Sequence, residues 1–417
     1  MEAVVERCAG LDVHRSSIVG CVMTSAGGGR TKKVAATFAT TAAGLGRLVG
    51  WLREHAVSAV GMESTGVYWM PLYATLEAAG GFEVIVANPN AIKGTKGRKT
   101  DMNDAERLAG LVRVGSLASS FVPPKPIRDL RDLTRYRRTL VETQASERRR
   151  LIKLLEASNV KLAGVLSDVL GVCGRAILRA LIAGEQPPAE MVKLARGRLR
   201  QKRPQLFDAL AGRLDPHHRN ILAMQLARVE AAEADIKALD AHIAEHLAPY
   251  GCQLELLRAI PGIDWVVAAT IIAEVGIDMT VFPTARHLAA WAGVCPGNHE
   301  SAGKRKPTGA RSGNAYLKTA LCNAATSAAR KTGSYFKDKY HKLKSRRGGG
   351  RAAMAIAHKL LVIAYHILSD GTAYRELGET YLDKRNAQRS ANRYVRRLES
   401  LGFVVTLAPA PAAANPL

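Results

Sequence analysis

The chain has 417 residues, 47% apolar and 5% aromatic, which is enough to bury sizeable cores in two or three domains. Lys and Arg number 60 against 36 Asp and Glu, a formal charge of +24. That charge points to a polyanion such as a nucleic acid, with an anionic membrane surface as the second explanation. No run of about 18 apolar residues suggests a membrane-crossing helix, and MEAVVERCAGLDVHR lacks the apolar segment of a signal peptide.

In chain order, residues 8–22 read as two strands: Ala9, Leu11 and Val13 alternate with Gly10, Asp12 and His14, and Ile18–Val22 continue in β-branched style. SAGGGRT at 25–31 is a turn, and Val34–Phe38 a third strand. Ala42–His55 carries Leu45, Leu48, Val49 and Leu52 at helical spacing. Val57–Met62 is a strand ending at Glu63, followed by a helix over Tyr68–Ala79, a strand over Phe82–Ala87 and a helix over Asp101–Val114. The order βββ-α-β-α-β-α is the RNase H-like plan. PPKP at 123–126 breaks the chain, and a helical stretch runs on to about residue 250. Within it Ile221–Leu247 has no Gly or Pro and keeps a near-heptad apolar stripe, suited to a coiled coil or a long hairpin. LRAIPGIDWVVAATIIAEVG at 257–276 has the layout of a helix-hairpin-helix, whose turn can offer backbone N–H groups to a phosphate. APAPAAANPL at the C-terminus reads as a disordered tail. The expected fold is therefore multidomain α/β plus α, divided 1–122, 123–252, 253–375 and 376–417.

Several enzyme classes are excluded. The sequence has no GxxxxGK[ST], GxGxxG, HExxH or GxSxG, which removes the simplest NTPase, dehydrogenase, metalloprotease and α/β-hydrolase readings. The six cysteines stand at no CxxC spacing, as reduced thiols would rather than a zinc site or a disulfide framework.

Four acids stand at special places. Asp12 lies inside the first strand, where a carboxylate is costly unless it is paired or binds a metal. Glu63 closes another strand in AVGMESTG, and Asp101 and Asp104 share one face at a helix start in KTDMNDAE. Hard oxygen ligands suit Mg²⁺ or Mn²⁺, and a pair of such ions can clamp an in-line phosphoryl displacement. Singly each acid has a plainer reading, as a turn acid or a helix cap. Lys93, Lys96, Arg98 and Lys99 precede the acid pair and are placed to hold a nucleic-acid backbone. Residues 296–351 hold fourteen Lys and Arg against Glu300 and Asp338, interleaved with Tyr316, Tyr335, Phe336 and Tyr340. Lys304, Arg305, Lys306, Arg311, Asn314 and Lys318 are the expected nucleic-acid contacts there.

GLDVH with Asp12, GMESTG with Glu63 and KTDxxDA with Asp101 and Asp104 resemble the DEDD tetrad of the IS110-family transposases. IPGIDWVVAATIIAEVG and the later FPTARHLAAWAGVCPGNHESAGKRKPTGARSGNAYLKTAL resemble the same family, and the resemblance runs from about residue 8 to 402. It implies a RuvC-like N-terminal domain, a helical middle that serves dimerisation or tetramerisation, and a mainly helical C-terminal domain with a catalytic serine. The serine follows W-A-G-x-x-P-x-x-x-x-S and precedes G-N-x-x-L-[RK]; here it is Ser301, after Trp291, Ala292, Gly293 and Pro296 and before Gly313, Asn314, Leu317 and Lys318. Many members have Ser-Gly where this chain has Ser301-Ala302-Gly303; Ser64 and Ser312 rank below Ser301 as nucleophiles. A free hydroxyl needs a base or a metal to attack, and the residues alone leave Ser301 a polar loop serine.

The resemblance further implies cutting and rejoining of double-stranded DNA at element ends and target through a phosphoserine, with an element-encoded structured RNA as guide. It places the protein in the bacterial cytoplasm, on the nucleoid when bound to DNA, and off the membrane. Two other readings stay open: a RuvC-like junction nuclease that uses the same acids with water, and a basic nucleic-acid-binding protein or decayed transposase without activity.

Overall fold

Cys8, Ala9, Leu11 and Val13 are all buried in β1 (Arg7–Val13), so this strand is covered on both faces. The computed structural model describes residues 4–26, 30–89, 101–297, 300–301, 304–305 and 309–408. The chain divides into two compact units, Met1–Val122 and Pro123–Leu417.

In the first unit β1 is joined by β2 (Ser17–Ala26), β3 (Arg30–Ala39), β4 (Ala59–Glu63) and β5 (Glu83–Ala87). The sheet order is β3-β2-β1-β4-β5. β2 runs antiparallel to β1 and β3, while β4 runs parallel to β1 and β5. The sheet is thus mixed: the first three strands form an antiparallel meander, and β4 and β5 add to it in parallel. Leu11, Ile18, Val22, Val60 and Met62 form one core with Leu45, Leu48 and Leu52 of α1 (Ala42–Glu54) and Leu72 and Leu76 of α2 (Trp69–Ala79). Cys8, Val19, Cys21 and Ala59 form the opposite core with Ala105, Leu108, Ala109 and Val112 of α3 (Asp101–Arg113). Burying such a side chain fully contributes about 1.5–3 kcal/mol. Thr41 caps α1, its hydroxyl accepting from the Gly44 N–H.

Among the described residues the second unit is helical apart from a two-stranded ribbon. α4 (Lys125–Ala157) and α5 (Pro216–Leu247) pack antiparallel, since Arg137 pairs with Asp240, Gln144 with Glu233 and Glu147 with Arg228. Leu222, Leu226, Val229, Leu239, Ile243 and Leu247 of the near-heptad stripe are buried, so the long hairpin uses it within the chain. The segment between the two helices packs on their ends through Leu162, Ile177, Leu178 and Leu206. The expected helix-hairpin-helix layout is present as α6 (Gly251–Arg258) and α7 (Trp265–Val275). Its turn, however, abuts Ala324 and Ala328 of α8 (Ala315–Ala328), so Gly262 is a packing contact within this unit.

α9 (Tyr335–Arg347) and α10 (Gly349–Asp370) complete the bundle. α10 corrects the reading that no stretch is long and apolar enough for a bilayer: by length and composition it would suffice. Its Ala352, Ile356, Ala357, Leu360, Leu361, Ala364 and Ile367 are buried in the protein, which accounts for the composition. Tyr335 and Phe336, read as aromatics among basic residues, are also core side chains, with Phe336 fully buried. Hydrophobic burial takes both rings out of reach of a stacked base. The tail expected at the C-terminus lies, from residue 409 onward, outside the described residues.

Candidate active site

The period of two along β1 decides where Asp12 points. Cys8 and Gly10 face α3, so Asp12 and then His14 follow on that face. On β4, Ala59 and Gly61 face α3 by the same rule, and Glu63 follows them. The parallel register pairs Leu11 with Met62, which sets Asp12 and Glu63 one step further along at the carboxyl ends of adjacent strands.

α3 brings the other two acids. A Cβ on Gly10 would stand 2.2 Å from the Ala105 carbonyl oxygen and the Ala109 nitrogen, so only glycine lets the helix lie directly on the sheet. Asp101 and Asp104 in its first turn are thereby carried to Asp12. His14 occupies the short turn after β1, its N–H donating to the Ser17 carbonyl. His14 Nε2 lies 3.1 Å from Asp12 Oδ2 and 3.5 Å from Asp101 Oδ2. One donor atom from each of Asp12, His14 and Asp101 falls within 4.8 Å of the others.

The electrostatics are unbalanced. Asp12 is only 17% exposed against 65% for Asp101. Burial raises the Asp12 pKa, His14 opposes the shift, and the like charges of Asp104 and Asp101 add to it. A site with more carboxylates than cations is stabilised by a bound cation, and two carboxylates with an imidazole are a donor set that divalent ions accept.

Ser301 belongs to the second unit. β6 (Glu300–Ser301) pairs antiparallel with β7 (Lys304–Arg305), Ser301 opposite Lys304. Gly297 N–H donates to the Gly309 carbonyl and Arg311 N–H to the Cys295 carbonyl, so the pairing of the β6–β7 hairpin that carries Ser301 extends to these described residues. At its foot a Cβ on Gly313 would stand 2.4 Å from the Gly293 nitrogen, a close approach that only glycine permits. Asn314 then caps α8, its Oδ1 accepting from the N–H groups of Tyr316 and Leu317.

Of the remaining expected contacts, only some fall among the described residues. Lys93, Lys96, Arg98, Lys99 and Lys306 lie outside the described residues, while Lys304 and Arg305 are placed by backbone only, in β7. Arg311 is exposed, and Lys318 reaches back to the Arg311 carbonyl. Asn314, besides capping α8, donates from Nδ2 to Glu274 Oε2 at 2.6 Å, so it is held within the fold by both ends of its amide.

Two features escaped the sequence reading. His14 was visible in GLDVH, and its i+2 spacing from Asp12 was the available signal. Glu274 ends an apolar helix and looked incidental; it is fully buried and takes a two-bond fork from Arg135 at 2.7 and 2.8 Å.

A mixed five-stranded sheet with carboxylates toward the ends of two adjacent strands, joined to a basic helical unit, defines an α/β-plus-α class of protein with an acidic cluster on its sheet. Comparison gives the family. A transposase model for the DEDD proteins of IS110 matches residues 9–159, and the transposase IS116/IS110/IS902 family model matches residues 254–341. Together they cover more than half of the chain, and the chain belongs to the IS110 family of transposases. It is 28% identical to y4qE of Sinorhizobium fredii, named as a transposase, over 59% of this chain, and spans about half (52%) of that relative's length. It is 26% identical to the "Probable family 20 transposase" of Pseudomonas aeruginosa over 76% of this chain and 85% of the relative. The insertion element IS110 43.6 kDa protein of Streptomyces coelicolor is 28% identical over 66% and 72%.

Proposed function

We propose that the protein is the recombinase of an insertion sequence, which cuts and rejoins double-stranded DNA at element ends and target. The observation that carries this is the grouping of Asp12, Asp101, Asp104 and His14 at the end of β1, with Glu63 beside them on β4, in a chain of this family. The first unit is on this reading an RNase H-like domain of the RuvC kind. Asp12, Glu63, Asp101 and Asp104 would hold Mg²⁺ or Mn²⁺, and such an ion polarises a phosphoryl oxygen and neutralises charge developing on a leaving oxygen.

The protein's own residues supply the rest. The Ser301 hydroxyl attacks the phosphorus and loses its proton; the bond from phosphorus to the 3′ oxygen breaks, and the 3′ end leaves as a hydroxyl. Rejoining runs the same exchange backwards, with a 3′ hydroxyl attacking the phosphoserine and Ser301 recovering its proton. The hairpin that carries Ser301 positions it, and the basic residues around it, Lys304, Arg305, Lys306, Arg311 and Lys318, hold phosphates, as do Lys93, Lys96, Arg98 and Lys99. A structured RNA from the element's flanking region serves as guide, which the charge of +24 suits as well as it suits DNA. The protein works as a dimer or tetramer in the bacterial cytoplasm.

A trapping assay tests this. Protein, Mg²⁺, element-end DNA and the flanking transcript are incubated and denatured. A covalent protein–DNA adduct that disappears in Ser301→Ala is expected. Nicked DNA without adduct, unchanged in Ser301→Ala, would instead mean a nuclease that uses water. Intact DNA that still binds would mean a non-enzymatic basic protein.

A further inference from the structure

We propose that His14 is itself a metal ligand, making the candidate centre a mixed nitrogen–oxygen site that selects Mn²⁺ over Mg²⁺. This rests on the metal-dependent reading above and goes beyond its four carboxylates. The argument is geometric. Ligands about 2.1 Å from an ion and at right angles to one another stand about 3 Å apart, and wider angles place them somewhat further apart. His14 Nε2 stands 3.1 Å from Asp12 Oδ2 and 3.5 Å from Asp101 Oδ2, within that range for both acids at once. A histidine held only to orient Asp12 needs no such approach to Asp101, which comes from a different element.

The placement is built by the backbone. His14 continues the face of β1 that carries Gly10 and Asp12, and its N–H is fixed on the Ser17 carbonyl, so the imidazole starts from a pinned turn. Its side chain is 43% exposed, so solvent reaches the imidazole. Mg²⁺ prefers oxygen ligands and keeps its waters, whereas first-row transition ions gain from imidazole. Two carboxylates and an imidazole therefore favour Mn²⁺, the member of that series that also accepts a mainly oxygen shell.

The experiment uses the full chain with Mn²⁺ alone as probe. Electron paramagnetic resonance titration gives affinity, pulsed measurement of the bound ion gives any nitrogen coupling, and competition with Mg²⁺ gives selectivity. In the unaltered protein Mn²⁺ should outcompete Mg²⁺ by about tenfold or more and show one imidazole nitrogen. His14→Gln should erase the nitrogen coupling and cut Mn²⁺ affinity by about tenfold, leaving Mg²⁺ affinity nearly unchanged. Asp12→Asn should abolish binding of both. Mn²⁺ bound in an Asp12-dependent way but without nitrogen coupling would overturn the role of His14 and leave the carboxylate site standing. Coupling that survives in His14→Gln would overturn it too, by assigning the nitrogen elsewhere. No Mn²⁺ binding in the unaltered protein would overturn both this inference and the metal-dependent reading.

Discussion

Two carboxylate centres, one in each unit, differ in how their charge is balanced. Glu274 is completely buried, and its oxygens accept from Arg135 at 2.7 and 2.8 Å and from Asn314 at 2.6 Å, with Arg131 3.3 Å away. Burial lowers the Arg131 pKa to about 10 against the pull of Glu274, so it remains charged at neutral pH. Asp12 is the reverse: partly exposed, with one imidazole beside it and two further carboxylates acting on it. A buried ion whose partners are all supplied by the fold has nothing left to offer a ligand, whereas a surplus of like charge at an open edge is stabilised only by something brought in. Two acids of similar appearance in the sequence are thus separated into a structural and a functional reading by their partners.

The largest effect should come from breaking the balanced centre. Glu274→Ala leaves the mostly buried Arg131 and the partly exposed Arg135 without their counter-charge and frees Asn314 at the foot of the Ser301 hairpin. Losing one partner of a buried pair costs about 3–5 kcal/mol, so the melting temperature should fall sharply and trapping through Ser301 should fall with it. A melt within a degree of the unaltered protein would show that Glu274 is not a structural anchor. Next comes Asp12→Asn, which relieves like-charge repulsion and so should not lower the melting temperature, while strand cleavage drops by at least about a hundredfold, roughly 3 kcal/mol in the barrier. Loss of stability without loss of cleavage would reverse the assignment of the two centres.

Gly10→Ala tests whether the packing of α3 makes the open centre. The added methyl meets backbone atoms of Ala105 and Ala109 at 2.2 Å, and backbone cannot step aside as a flexible side chain can. Overpacking of this kind costs about 1–3 kcal/mol. Because the helix must lift from the sheet, Asp101 should retreat from His14, and divalent-ion affinity should fall more than in an equally destabilised variant of the α1 face, such as Leu48→Ala.

The strands and helices of the first unit, and the positions of Asp12 and Glu63 toward strand ends, were legible because each rests on a local signal: a period of two or a period near 3.6. The parts not legible depend on what lies opposite. Nothing local separates Tyr335 and Phe336 as core rings from aromatics that stack on bases, since the same alternation with lysines serves both. Asn314 sits in a motif beside basic residues, yet its partners are the first turn of α8 and Glu274, forty positions away. The metal-like grouping of His14 needs Asp101 from another element, and only the glycine-permitted approach of α3 brings it there.

The smallest expected effect lies with a third carboxylate, more exposed than the other two yet held by donors of the fold. Glu376 is exposed; desolvation of its carboxyl pushes its pKa up, but the N–H groups of Tyr335 and Gly378 and the Tyr374 hydroxyl donate to it and carry the net shift down. A folded-state pKa below the unfolded one means stability that is present above the ordinary carboxylate value of 4.5 and is lost as pH falls through the lower, folded value. Glu376→Gln removes that contribution at any pH. Because solvent screens an exposed carboxylate, the variant should melt only about a degree below the unaltered protein at neutral pH, and the gap should close as the solution is acidified beneath 4.5. A gap independent of pH would mean that the shape of the side chain, rather than its charge, ties residues 374–378 to the start of α9.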